Sequence, residues 1–79
     1  MEEQILTPLI GNEDGQAVLS TWSINIGDQI NVGQVIATIE TNKAVLDLES
    51  TKKGEVKELL VSAGSEIADL QPLVTVAVE

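Results

Sequence analysis

The sequence predicts an all-β domain: a flattened barrel or sandwich of two small antiparallel sheets related by a pseudo-two-fold axis. Three observations carry the prediction. Apolar residues make up 43% of the 79, and they are almost all Val, Ile, Leu and Ala, with one Trp and no Phe or Tyr. That composition suits pleated, half-buried strands better than an aromatic-lined ligand pocket. Turn signals, at 11–15, Gly27-Asp28, Gly33-Gln34, the tip at 42–43, 50–54 and 63–65, recur about every ten residues on average, within the eight to twelve of a sandwich or barrel. The two halves also repeat. A shift of 37 lays Gly27 on Gly64, Ile30 on Ile67, Gln34 on Gln71, Ile36 on Leu73, Thr38 on Thr75 and Ile39 on Val76. Upstream it lays Leu19 on Val56, Trp22 on Leu59 and Ile24 on Val61. Repeated units bury one continuous core, and with only two copies a closed sandwich fits better than a solenoid.

Taken in order, residues 3–6 read as a short edge strand stopped by Thr7-Pro8. Residues 11–15 are a polar loop, and 17–26 a long strand with Ser and Thr between its apolar positions. A short extended piece follows at 30–32. Two apolar-rich runs, 35–39 and 44–48, then flank a polar tip. Residues 50–54 form a loop that exposes Lys52 and Lys53, 56–61 a strand, 63–65 a turn and 73–78 the last strand. The whole length is one domain, residues 1–79, with a core of modest size.

The hairpin at the middle has a definite register. With Asn42 and Lys43 as the central pair of the turn, Thr41 faces Ala44, Glu40 pairs with Val45, Ile39 with Leu46, Thr38 with Asp47 and Ala37 with Leu48. Ile39, Ala37, Leu46 and Leu48 then share one face, while Thr38, Glu40, Asp47 and Glu49 share the other. Slipping the pairing by one residue would turn every side chain over, so the alternation pins the register. Asn at a turn centre tolerates left-handed dihedrals. Lys43 is thereby displayed at an exposed tip. Because the hairpin joins the two repeats, its symmetry mate is the region of the chain ends, and Lys43 is expected at the opposite pole from the termini.

At these residues the chain resembles the lipoyl domains of 2-oxo acid dehydrogenase complexes. The family's attachment motif, Glu-Thr-Asp-Lys-Ala, stands here as Glu40-Thr41-Asn42-Lys43-Ala44. Pro8-Leu9-Ile10-Gly11 is similar to the family's opening Pro-x-Leu-Gly, residues 15–22 to its first long strand, and Gly27-Asp28 and Gly33-Gln34 to its turns. Gly54-Glu55-Val56 and Gly64 match the second half, so the resemblance runs nearly end to end. It implies covalent lipoate on Lys43, with Glu40, Thr41, Asn42, Ala44 and Gly11 serving turn geometry and recognition. Gly11 would lie in a loop beside the lysine turn, where Asn12, Glu13 and Asp14 contribute to partner choice. The implied partners are a lipoate ligase or lipoyl transferase, a thiamine-dependent 2-oxo acid decarboxylase component, an acyltransferase core and dihydrolipoamide dehydrogenase. The chain would be a monomeric carrier segment of a dihydrolipoamide acyltransferase, with no catalysis of its own. Asn42 departs from the family's Asp and removes a negative charge beside the acceptor. The loop at 12–14 departs as well.

Composition is consistent with a carrier. There is no Cys and no His, which removes thiolate chemistry, zinc–cysteine sites and the usual general base. No catalytic or metal-ligating set is expected. An exposed lysine amine is almost wholly protonated at neutral pH, so Lys43 is no nucleophile by itself and a ligase must activate the acid it receives. Four lysines against thirteen carboxylates give a net charge of −9. Nucleic acid and anionic membranes are therefore not expected partners, while basic protein surfaces are. The acidic Met1-Glu2-Glu3 opening lacks the basic flank of a secretory signal, so a cytoplasmic location is expected, or the mitochondrial matrix in a eukaryote. Two other functions stay open. A biotin carrier shares the fold, but its lysine sits in Met-Lys-Met, whereas Lys43 lies between Asn42 and Ala44. An unmodified adaptor of the same fold is the other. Trp22 reads as packing.

Overall fold

The computed structural model describes residues 1–8, 17–41 and 44–79. Eight strands form among them: β1 (Glu2–Leu6), β2 (Ala17–Trp22), β3 (Gln29–Ile30), β4 (Val35–Thr41), β5 (Val45–Glu49), β6 (Gly54–Leu59), β7 (Glu66–Ile67) and β8 (Pro72–Val78). They make two antiparallel four-stranded sheets, in the orders β1-β8-β6-β3 and β5-β4-β2-β7. The sandwich predicted from the sequence is therefore the one found.

The alternation of apolar and polar residues explains the packing. Leu19, Ile36 and Ile39 point inward from one sheet, Val56, Leu73 and Val76 from the other, and all are fully buried. Ile5, Ile30, Val74 and Ile67 belong to the same cluster. A core built only from aliphatic side chains interdigitates closely and gives no room for an internal ligand. Trp22 packs against this cluster, and its indole N–H donates to the Val61 carbonyl at 3.0 Å, as a half-buried indole requires. Its role is packing.

The repeat is carried down to single hydrogen bonds. Adding 37 takes β2, β3 and β4 onto β6, β7 and β8. The Gly27 amide donates to the Val56 carbonyl, and the Gly64 amide to that of Leu19. The Gln34 side-chain oxygen accepts from the Asn31 amide, and that of Gln71 from the Ala68 amide. The ladder irregularity in β2, between Leu19 and Thr21, returns in β6 between Val56 and Glu58. β5 and β1 are the remaining pair, offset by 43, each on the outer edge of its sheet. Beyond them Ser50 and Thr7 are equivalent buried hydroxyl residues. Each bonds a neighbouring carbonyl, that of Lys52 for Ser50 and that of Gln71 for Thr7. Buried hydroxyls without partners would cost stability.

Several sequence expectations are corrected. The strand expected over 17–26 ends at Trp22. Asn25 and Asp28 close a turn, with the Asn25 amide bonding the Asp28 carboxylate at 2.8 Å, so Ile26 is lifted to 64% exposure while Ile24 stays buried. The piece expected at 30–32 is Gln29–Ile30, and Val32 sits exposed in the Asn31–Gln34 turn. The strand expected at 56–61 begins and ends two residues earlier, because Gly54 joins the ladder opposite Val78. β7 was not among the expected strands, although the repeat had set Ile67 on Ile30. Lys52 is not a freely solvated loop residue: it is half-buried and pairs with Glu3 at 2.6 Å. Residues 9–16, including Gly11 and the loop 12–14, and the tip pair Asn42 and Lys43 lie outside the described residues.

Candidate functional site

The central hairpin has the register that its alternation predicts. Ala37 pairs with Leu48, Thr38 with Asp47, Ile39 with Leu46 and Glu40 with Val45. An irregularity between Val35 and Ala37, which the pattern did not reveal, brings Val35 opposite Glu49. Ile39, Ala37 and Leu48 are buried and anchor both arms to the core. Glu40, Ala44 and Val45 are exposed, and Thr41 is partly buried.

Thr41 and Ala44 close the neck from which the tip leaves. The Thr41 amide donates to the Ala44 carbonyl at 2.9 Å. The Thr41 hydroxyl donates to that same carbonyl and accepts from the Ala44 amide, at 3.1 Å in each case. Three hydrogen bonds across one pair make a firm base for a two-residue tip. Threonine suits the position because it is β-branched, with restricted χ1, and its hydroxyl can both donate and accept. This bonding role had not been read from the sequence. Its only signal was a threonine at the last strand position before a two-residue turn.

The structure thus brings Glu40, Thr41 and Ala44 together at one end of the sandwich. The neck has a symmetry mate at the chain ends. The Val78 amide donates to the Met1 carbonyl at 2.8 Å, the counterpart of the Thr41–Ala44 bond. Among the described residues, no group of three or more acidic side chains is placed to hold a metal ion.

An aliphatic sandwich thus carries a central hairpin closed by a tightly bonded Thr41–Ala44 neck. Residues 3–76 match the biotin/lipoyl family, described as biotin-requiring enzymes, and the chain belongs to that family. It is 39% identical over 66 residues to the pyruvate dehydrogenase E1 component subunit beta of Rhizobium meliloti, covering 84% of this chain and 14% of that protein. To the dihydrolipoyllysine-residue acetyltransferase component of the pyruvate dehydrogenase complex of Rickettsia bellii it is 32% identical over 79 residues, which is 100% of this chain and 19% of that protein. To the same component of Rhizobium meliloti it is 33% identical over 76 residues, 96% of this chain and 17% of that one. The chain spans less than a fifth of the length of each of these relatives.

Proposed function

We propose that this chain is a lipoyl carrier domain that serves a pyruvate dehydrogenase complex, with lipoate in amide linkage to the Lys43 side chain. The observation that carries the reading is the Thr41–Ala44 neck, three hydrogen bonds across one pair at the ends of the two hairpin arms. The neighbouring side chains fit a covalent arm: Glu40, Ala44 and Val45 are exposed and leave the approach open. Bound there, the dithiolane supplies acyl and electron transfer, and the protein supplies presentation. Glu40, next to the neck, guides the ligase to this lysine. Pairing of the neck with the chain ends through the pseudo-two-fold favours an arm directed away from any attached linker.

The relatives carry similar segments within an acetyltransferase component and within an E1 beta subunit. A tether to either would let the arm meet a thiamine-dependent decarboxylase, an acyltransferase core and dihydrolipoamide dehydrogenase in turn, in the cytoplasm of a bacterial cell. The test is intact mass after incubation with ATP, lipoate and a lipoate ligase, beside biotin with a biotin ligase. One lipoyl increment that vanishes in Lys43→Ala, with thermal stability retained, is the expected result. Biotin uptake alone would transfer the domain to the carboxylase side of the family. No increment on a folded chain would favour the adaptor.

A further inference from the structure

Between the outer strands β1 and β5, where the edges of the two sheets approach each other, lies a groove of about 560 Å³. Ile5 and Leu48 form its buried apolar base, Leu6 and Leu70 stand exposed on it at 44% and 56%, Asp47 and Glu49 lie along the β5 side, and Lys52, whose charge is met by Glu3, also lines it. The groove is on the body of the sandwich and takes no part in the neck described above.

Leu70 is the unusual member. It is the only non-glycine residue with positive φ among the described residues, at 63°. The repeat shows what that position asks for. Its mate is Gly33, with φ 87°. Both residues do the same backbone work: the Leu70 amide bonds the Thr7 carbonyl, and the Gly33 amide bonds that of Ser50. Glycine meets this demand without strain, whereas a leucine meets it with strain. The second half therefore holds a large apolar side chain in an unfavourable conformation, half exposed, on the wall of a groove. Strain of this kind persists where a side chain is wanted at a particular place.

We propose that this groove docks an extended, basic segment of a partner protein. An apolar side chain of that segment would seat against Leu6 and Leu70, and flanking Lys or Arg residues would meet Asp47 and Glu49. Two features select this occupant. β1 and β5 each end their sheet, so the groove is bordered by strand edges to which an extended peptide can add main-chain hydrogen bonds. The charge of −9 on 79 residues opposes a second copy of the chain and draws a cationic partner. The interaction needs no group on Lys43, so it is tested on unmodified protein and stands apart from the carrier reading.

The probe is a blocked hexapeptide, Lys-Val-Leu-Val-Lys-Lys, titrated into 15N-labelled chain, with a control in which glutamate replaces each lysine. The expected result is a set of amide shifts centred on Leu6, Leu48 and Leu70, with affinity falling as salt rises. Leu70→Gly is expected to lower affinity by at least about tenfold while the melting temperature holds or rises, since the strain is relieved. Asp47→Asn with Glu49→Gln is expected to weaken binding and flatten its salt dependence at unchanged stability. Equal binding of the acidic control, shifts centred elsewhere, or full affinity in Leu70→Gly would each overturn the proposal. So would peptide-independent dimerisation through the same residues.

Discussion

Gly54→Ala is the sharpest test of the packing. Gly54 lies in β6 between Val78 of β8 and Ile30 of β3. A Cβ there would stand 2.0 Å from the Ala77 carbonyl oxygen, 2.8 Å from its carbon and 3.0 Å from the Val78 Cα. All three atoms are backbone, so no side chain can swing aside. Non-bonded atoms rest roughly 3.5 Å apart, and β8 would have to retreat by about 1.5 Å, which breaks its ladder to β6. Overpacking of this kind costs about 1–3 kcal/mol, and an alanine at φ 155° adds about 1 kcal/mol. Opposing this, alanine restricts the unfolded chain by about 0.4–1 kcal/mol. The net loss is about 1–4 kcal/mol, from a total of roughly 4–12 kcal/mol for a chain of this length. Each kcal/mol moves the melting temperature of such a domain by roughly 4–8 °C. Thermal unfolding followed by Trp22 fluorescence should therefore show a fall of at least about 4 °C. The equivalent residue in the first half is Ala17, fully buried in the same place of its own sheet, so the close approach belongs to one half alone. A melting temperature equal to or above that of the parent would refute the argument, because it would mean that the β6–β8 pair yields without cost.

Two further predictions concern the neck. Thr41→Val keeps the β-branched shape but removes both hydroxyl bonds to Ala44 and should cost about 1 kcal/mol. Ligase-catalysed modification should fall by more than stability does, as read by initial rates at a temperature where both proteins are folded. Under the proposed function, Asn42→Asp returns the charge that the family's attachment motif carries beside its lysine. It should raise the rate of lipoylation with little change in melting temperature, and a slower rate would show that the ligase reads the amide.

Much of the fold was legible because a sandwich of this kind follows from alternation, turn residues and repetition, all of which are local or periodic. The hairpin register is the clearest case. Ile39 against Leu46 and Ala37 against Leu48 is the pairing that puts these four apolar side chains on one face and Thr38, Glu40, Asp47 and Glu49 on the other, so short-range pattern alone determines it. The motif Glu40 to Ala44 pointed to the family, and the match over residues 3–76 agrees.

What the sequence could not supply depends on contacts distant along the chain. Ile24 and Ile26 are both apolar at alternate positions and extend the strand pattern, yet the Asn25–Asp28 turn buries one and exposes the other. Lys52 looked like any loop lysine until β1 brought Glu3 to it across 49 residues. Leu70 carries no mark in the sequence of its positive φ beyond its alignment with Gly33, and only the folding of β1 and β5 to opposite sides of one groove makes it part of that groove's wall. Composition, alternation and repeat thus determined the class of this domain and the register of its central hairpin, because each acts over a few residues or at a fixed period. The closeness of Gly54 to Ala77 and the groove beside Leu70 were decided by tertiary structure, because each requires segments far apart in the chain to meet at atomic distance.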